Sequence, residues 1–399
     1  MHKDFIYLDN AATSWPKPDA VGDAMSDFLR TKAGNPGRGG HYLARQASEV
    51  VEAAREKLSK LINAPDTKRV VLTQGCTDSL NLAIHGVVRA AMKCCCPESK
   101  IHVVTTAIEH NAVLRTLFCF AGDGLLDLDI VPCDEHGIME PHAIADACND
   151  RTVLVAVSHA SNVLGTIQPI KEIAEAIRAC CPDVLFMVDA AQTAGHFEID
   201  VQRDDIDLIT IAGHKGLRGP TGTGALYVGP RAFPDSCTNT RLFCERRGGT
   251  GSTAPGLEMP KDLPDALEAG TANAVGFAGL IAAMDTLNEA THEHEMTLTK
   301  QILDGLVKIQ GVRVYGKPTI EGRMPVVLFN IEGYCARDAG ALFDKDHHIA
   351  VRGGLHCAPE LHNAIGTYLD GGVRVSPGSA TTAQQIERFI DAVRIIASS

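Results

Sequence analysis

The sequence lacks an excess of basic residues, a long apolar run and a secretory leader. Its 37 Lys and Arg are outnumbered by 49 Asp and Glu, which gives a formal charge of −12 over 399 residues. This balance provides no electrostatic footprint for nucleic acid or an anionic membrane. Nowhere do about 18 apolar residues run uninterrupted, as a membrane-spanning helix requires, and residues 1–16 have no apolar core of secretory length. We therefore expect a small-molecule partner, no nucleic acid, no membrane and a cytoplasmic location.

The cysteines lack the pattern of a disulfide scaffold or of a zinc site. The 13 Cys are an odd number spread along a long chain, which suits a reducing compartment. The run Cys94-Cys95-Cys96 and the pair Cys180-Cys181 place thiols side by side, whereas zinc sites usually need spaced pairs of ligands. We predict structural or incidental roles for both groups and no metal site.

Short β-branched runs alternate with longer amphipathic stretches over residues 68–228. This alternation predicts an α/β fold, in which helices cover both faces of a mainly parallel sheet. The predicted strands are 69–73, 101–105, 126–131, 153–158, 184–188, 208–211 and 224–228.

A second region follows the glycine-rich segment 246–256 and begins with a long apolar helix over 274–287. Its pattern predicts a smaller α/β domain. The predicted strands there are 312–315, 326–330 and 349–352, and the predicted helices are 336–343 and 384–396. Because there is no internal repeat and no low-complexity linker, we expect the two regions to pack rigidly together.

A lysine stands at the end of an apolar strand. The segment AGHK at 212–215 is followed by a glycine-rich loop, which can hold the Lys215 amine fixed and partly desolvated, as a nucleophilic amine requires. The alternative is a loop lysine that faces solvent.

Asp189 is delivered by four apolar residues to the carboxyl end of another strand, where open parallel sheets bind ligands. An aspartate there can keep a pyridine nitrogen protonated, as pyridoxal-phosphate chemistry requires. The alternative is an aspartate that caps a helix.

A third segment, TQGCTDS at 73–79, leaves a strand and opens a helix. The free backbone N–H groups of such a helix start attract a phosphate, and Thr77 adds a hydroxyl. Ordinary helix capping is the alternative interpretation.

The loop RGGLHCAP at 352–359 places a thiol behind two glycines and before a proline that can start a helix. Beside Arg352 and His356, Cys357 is a candidate nucleophile toward a substrate sulfur. A buried, inert loop cysteine is the alternative.

These segments together resemble the class V aminotransferase family, and more narrowly its cysteine desulfurase and selenocysteine lyase branch. YLDNAAT at 7–13 resembles the N-terminal signature of that branch, and NPGRGGH at 35–41 resembles its early active-site loop. The resemblance implies the fold type I of pyridoxal 5'-phosphate (PLP) transferases, with a large domain built on a seven-stranded sheet. It also implies an arm at 1–20 packed with the small domain, a large PLP-binding domain at 21–270, and a small C-terminal domain at 271–399.

The resemblance also implies roles for individual residues. His110 stacks on the cofactor ring and can act as acid or base, Asn162 lies beside the cofactor, and Gln192 bonds its phenolic oxygen. His214 helps to hold the phosphate, and Thr271 reaches the neighbouring subunit's phosphate in a homodimer. The implied catalytic residues are Lys215, Cys357 and His110; the cofactor-binding residues are Lys215, Cys76, Thr77, His110, Asn162, Asp189, Gln192, His214 and Thr271; the substrate-binding residues are Arg374, Arg352, Asn162, Asn10 and His41.

The chain departs from the family pattern at two points. Ala212 stands where many relatives carry a phosphate-binding serine, and Pro359 directly follows Ala358 where relatives often have one residue between. The short cysteine loop resembles the group that needs an accessory sulfur acceptor or a reductant.

The resulting prediction is a cysteine desulfurase that takes sulfur from L-cysteine, releases L-alanine and leaves a persulfide on Cys357. Arg374 would bind the substrate carboxylate through its planar guanidinium; a surface ion pair is its alternative role. Alternatives for the whole chain are a selenocysteine lyase, a transaminase, epimerase or β-lyase in which Cys357 is a bystander, and a non-enzymatic sulfur carrier.

Overall fold

The computed structural model describes residues 5–37, 39–94, 100–235, 240–250 and 257–399. Outside these residues lie Arg38, Cys95, Cys96 and residues 251–256 of the glycine-rich segment 246–256. The helices are α1 Asp19–Thr31, α2 Tyr42–Leu61, α3 Cys76–Cys94, α4 Asn111–Gly122, α5 Pro141–Asp146, α6 Ile170–Cys180, α7 Ala274–Met284, α8 Glu289–Leu306, α9 Ala336–His347, α10 Pro359–Ala364 and α11 Ala383–Ala397. The strands are β1 Ile6–Tyr7, β2 Val70–Thr73, β3 Ile101–Thr106, β4 Leu126–Val131, β5 Thr152–Ser158, β6 Leu185–Asp189, β7 Leu208–Ala212, β8 Gly224–Val228, β9 Val312–Tyr315, β10 Val327–Ile331, β11 Ile349–Ala350, β12 Arg352–Gly354 and β13 Gly372–Val375.

Seven strands form one large sheet in the order β2-β8-β7-β6-β5-β3-β4. Only β8 runs antiparallel to its neighbours, β2 and β7. The central strands are buried along their whole length, which explains their continuous apolar sequences. The predicted α/β fold with a mainly parallel seven-stranded sheet is confirmed.

Helices cover both faces of this sheet, as the alternating pattern predicted. Side chains of α2, α6 and α7 pack on one face in a cluster with Val155, Val188 and Ile211. Side chains of α3 and α4 pack on the other face in a cluster with Ala156 and Met187. Because neighbouring residues of one strand point to opposite faces, each central strand contributes to both clusters.

The C-terminal part contains a separate four-stranded antiparallel sheet in the order β12-β13-β10-β9. A third apolar cluster unites it with α8, α9 and α11, and includes Ile6 and Leu8 from the N-terminus. The single strand predicted over 349–352 is wrong: β11 pairs with β1, whereas β12 pairs with β13. The domain limits at 20 and 270 stay a prediction.

The parallel strands end at one edge of the large sheet, and the loops that leave them carry polar residues. His110 follows β3, Asp189 ends β6, and Lys215 follows β7. Among the described residues, no helix is both long and apolar enough to cross a membrane.

Candidate active site

A cavity of about 630 Å³ opens at the carboxyl ends of the parallel strands. Open parallel sheets bind ligands at this edge, where the loops that follow the strands converge. Most of the residues predicted for the site line this cavity, namely Cys76, Thr77, His110, Asn162, Asp189, Gln192, His214, Lys215, Arg352 and Arg374.

Lys215 is held by a turn in which neighbouring positions leave no room for a side chain. At Gly213, an added Cβ would lie 2.1 Å from Thr223 Oγ1, and at Gly216 it would lie 2.4 Å from Ala194 O. Burial lowers the pKa of Lys215, and the charge of Asp189 opposes that shift. The amine is therefore fixed and is closer to its neutral, nucleophilic form than the amine of a lysine in solvent.

Asp189 is oriented by a backbone amide and by a thiol. Its Oδ1 accepts hydrogen bonds from Ala191 N at 2.8 Å and from Cys76 Sγ at 3.2 Å. Burial, reinforced by the charge of Asp189, raises the pKa of the Cys76 thiol well above its usual value. The thiol therefore stays protonated and donates to Asp189, so Cys76 positions the carboxylate.

The start of α3 forms an anion-binding corner of the cavity. Gly75 has φ 152° and open space where a Cβ would stand, so a ligand can approach the first-turn N–H groups closely. His214 Nδ1 is buried without a hydrogen-bond partner among the described residues. Burial, together with the charge of Lys215, lowers the pKa of His214 to about 4. The ring is therefore neutral at pH 7, and Ala212 lines the same cavity without a hydroxyl.

His110 caps the N-terminus of α4. Its Nδ1 accepts a hydrogen bond from Ala112 N at 3.0 Å, which places the proton of the neutral ring on Nε2. Burial, followed by the charge of Lys215, lowers the pKa of His110 to about 4. At pH 7 the ring that lines the cavity is thus a neutral donor.

Glu109 is a fully buried carboxyl group that no sequence motif marked, and its partner Ser158 lines the cavity. Its Oε1 accepts from Ser158 N at 2.7 Å and Thr106 Oγ1 at 2.6 Å, and its Oε2 accepts from Ser158 Oγ at 2.8 Å. Burial raises its pKa to about 7. Through these hydrogen bonds Glu109 ties the loop before α4, which includes His110, to Ser158 at the end of β5.

Arg374 is a buried cation with one unsatisfied donor. It is 1% exposed, and it donates to Asp9 Oδ1 at 2.7 Å and to Asn162 O at 2.9 Å. Its Nε has no partner among the described residues. A buried unpaired donor is costly, so an anionic ligand in the cavity would be stabilised there. The role of Asp9, which lies in the N-terminal signature, was missed.

Cys357 lies beside Arg352, which also lines the main cavity. Arg352 faces Arg374 across the β12–β13 pair, and its Nη2 lies 3.7 Å from Cys357 Sγ. His356 and Cys357 have φ 49° and 60°, a left-handed conformation that is strained for residues other than glycine. The Cys357 side chain lines a neighbouring cavity of about 560 Å³, which shares Arg352 and His356 with the first cavity.

Three predicted residues lie away from the main cavity. Thr271 is exposed and lines a separate cavity, which shares Gln74 and Gly222 with the main one. His41 is exposed, and its Nδ1 accepts from Ala44 N at the start of α2. Asn10 donates to Ser376 O at 3.1 Å and lines a small cavity behind Lys215. Their roles stay predictions.

Residues 6–389 match the family described as "Aminotransferase class-V". The chain belongs to this family. It is 32% identical to a probable cysteine desulfurase of Methanothermobacter thermautotrophicus, over 99% of this chain and 95% of that protein. It is 36% identical to a probable cysteine desulfurase of Halalkalibacterium halodurans, over 89% and 84% of the two chains.

Solved structures show the same fold. The apo structure of a cysteine desulfurase from Thermococcus onnurineus aligns with a TM-score of 0.87 at 30% identity, over 99% of this chain and 95% of that one. The cysteine desulfurase CsdA from Escherichia coli aligns with a TM-score of 0.83 at 28% identity, over 100% and 96%. The resemblance that the motifs indicated is confirmed.

Enzymes of this family use PLP, and the side chains around the main cavity fit that group. The corner at α3 offers backbone N–H groups and the unpartnered His214 Nδ1 to a phosphate. Asp189 and Lys215 supply the carboxylate and the amine that the pyridine nitrogen and the aldehyde require.

Proposed function

We propose that this protein is a PLP-dependent cysteine desulfurase in which Cys357 accepts the sulfur. The observation that carries the proposal is that Arg352 lines both the main cavity and the cavity of Cys357. Arg352 lines the cavity of Lys215 and Asp189, and its Nη2 is 3.7 Å from Cys357 Sγ. A nucleophilic thiol thus adjoins a cavity that suits an amino acid bound to PLP.

The first role of the cavity residues is to hold the cofactor. Lys215 would carry it, Thr77, His214 and the start of α3 would bind its phosphate, and Asp189 would keep its ring nitrogen protonated. His110 would stack on the ring, and Gln192, whose Nε2 also donates to Ala11 O, would bond the phenolic oxygen. When bound, PLP withdraws electrons from the substrate α-carbon.

The second role is to orient the substrate and to move its protons. The unpaired Nε of Arg374 favours binding of the α-carboxylate at this arginine, beside Asn162. Lys215, released by the incoming substrate amine, would take the α-proton and later return a proton to carbon. His110 Nε2–H would donate to the substrate sulfur.

The third role belongs to the cysteine loop. The Cys357 thiolate attacks the substrate sulfur; a new S–S bond forms, the Cβ–S bond breaks, and its electron pair stays on the carbon skeleton. Protonation of that carbon yields alanine, and Cys357 retains the persulfide. No outside oxidant is needed, because the sulfur is oxidised as the carbon is reduced.

The cysteine loop must turn toward the main cavity for this attack. Cys357 is half-buried in the neighbouring cavity, and the strained φ values at 356 and 357 favour a loop with a second conformation. In its present position the thiol is open to an acceptor protein or to a reductant, which would remove the sulfur.

The active unit would be a homodimer in which Thr271 of the partner subunit completes the phosphate site. Two observations support this part of the proposal: Thr271 is exposed in a single chain, and its cavity adjoins the main one at Gln74 and Gly222. Light scattering on the purified protein should give twice the mass of one chain; a monomer with full activity would contradict it.

The reaction is tested by quantifying alanine and sulfide released from L-cysteine with excess reductant. The Cys357→Ser variant should lose both products while it keeps the cofactor absorbance. Cys180→Ser is the matched control, because Cys180 is an exposed free thiol at the end of α6 and lines neither the main cavity nor the cavity of Cys357; it should retain full activity. Unimpaired Cys357→Ser, or amino transfer to a keto acid without sulfide, would overturn the proposal.

A further inference from the structure

Three potential metal ligands converge behind the Lys215 turn. His196 follows β6 in the fold, and His292 and Glu295 project from α8. One ligand atom from each lies within 4.8 Å of the others, and this is the one such group of three within the described ranges. His292 and Glu295 are three residues apart, so they share one face of the helix, as in the paired ligands of helical metal sites.

The ligand atoms lack the partners that buried polar atoms normally have. Glu295 is 5% exposed, and its Oε2 has no hydrogen-bond partner among the described residues, although His196 Nδ1 lies 3.3 Å away. His292 Nδ1 is also buried and unpartnered in that part of the chain. A buried carboxylate with no donor is costly unless a cation neutralises it.

The surroundings leave room for an ion. His196, His292 and Glu295 line a cavity of about 40 Å³ that also reaches Lys215 and Arg218, which exceeds the roughly 10–15 Å³ that one water occupies.

We propose that His196, His292 and Glu295 bind a divalent transition-metal ion of the zinc type, with water in the open position. Two imidazoles and one carboxylate are an established ligand set for such ions. The ion would join α8 to the loop after β6. It would also brace the Lys215 turn, because an added Cβ at Gly216 would lie 2.9 Å from His196 Nε2. The site does not depend on the desulfurase reaction.

The test is zinc binding by the purified holoenzyme, measured by elemental analysis after dialysis and by competition with a chromophoric chelator. Glu295→Gln should weaken binding by more than the roughly 10- to 100-fold that loss of an outer-shell partner costs. Glu293→Gln is the matched control: it makes the same change on an exposed position of the same helix and leaves every thiol in place, so its zinc affinity should equal that of the wild type.

Two further measurements distinguish loss of the metal site from a folding defect and from zinc binding by cysteine thiols. His292→Asn should also lose the zinc, and zinc should raise the Tm of the wild type and Glu293→Gln but not of Glu295→Gln or His292→Asn. X-ray absorption should show nitrogen and oxygen neighbours at about 2.0–2.1 Å rather than sulfur at about 2.3 Å. No bound zinc in the wild type, equal affinity in Glu295→Gln, or sulfur ligation would overturn the proposal.

Discussion

The substitution Ala212→Ser should tighten cofactor binding. Ala212 is 1% exposed and lines the main cavity, at a position where the family resemblance implies a phosphate-binding serine. A serine there would add one hydrogen bond to a charged phosphate, worth about 1.5–3 kcal/mol. This energy corresponds to a roughly 10- to 150-fold lower Kd for PLP, at 1.4 kcal/mol per factor of ten.

The assay for this prediction is the equilibrium Kd of PLP, obtained by titrating apoprotein and following the cofactor absorbance. Ala212→Cys provides the control, because it adds similar bulk with only a weak donor and should leave the Kd within a few-fold of the wild type. An unchanged or weaker affinity in Ala212→Ser would refute the placement of the phosphate beside Ala212.

Three further predictions concern buried titratable side chains around the cavity. Asp9→Asn removes the charge that pairs with buried Arg374 but keeps an oxygen acceptor, and it should lower the free energy of unfolding, measured in urea, by about 1.5–3 kcal/mol. Asp304→Asn, in the exposed pair with Lys300, should cost less than about 0.5 kcal/mol. Glu109, with its pKa raised to about 7, contributes stability that is lost as pH rises from 4.5 to 7, so between these pH values Glu109→Gln should lose about 3 kcal/mol less than the wild type. His110→Gln should lower kcat by about 10²- to 10⁴-fold with cofactor retained.

Each of these predictions has an outcome that contradicts it. Equal costs for Asp9→Asn and Asp304→Asn would mean that Arg374 does not depend on its ion pair. Parallel stability curves for Glu109→Gln and the wild type from pH 4 to 8 would rule out a raised pKa for Glu109. Since burial lowers the pKa of His110 to about 4, an inflection in kcat near pH 6.5 that disappears in His110→Gln would contradict this lowered pKa.

The parallel sheet could be predicted because short, mainly apolar β-branched runs alternate with longer amphipathic stretches over residues 68–228. The direction of β8 could not, since it depends on its position between β2 and β7. The sequence predicts one strand over 349–352, but residues 349–350 pair with β1 and Arg352 belongs to a strand that pairs with β13. Such pairings depend on contacts between distant parts of the chain.

The site residues likewise fall into some that the sequence could indicate and others that depend on contacts between distant parts of the chain. Lys215, Asp189 and Thr77 could be singled out because each follows a strand end, where a parallel sheet collects its loops. The pair of Asp9 with Arg374 joins residues 365 positions apart, and the pKa values of Glu109 and Glu295 are raised mainly by burial in the folded chain. No short motif marks the cluster of His196 with Glu295, because the two residues are far apart in the sequence and only the fold brings them together.

The central claim, that Cys357 receives sulfur from cysteine, is tested most directly by mass spectrometry of the holoenzyme after one turnover without reductant. The claim predicts that the peptide containing Cys357 gains one sulfur atom, that an equal amount of alanine is released, and that a thiol reductant removes the added mass. Alanine formation with an unmodified Cys357, or with the added sulfur on another cysteine such as Cys76, would contradict it.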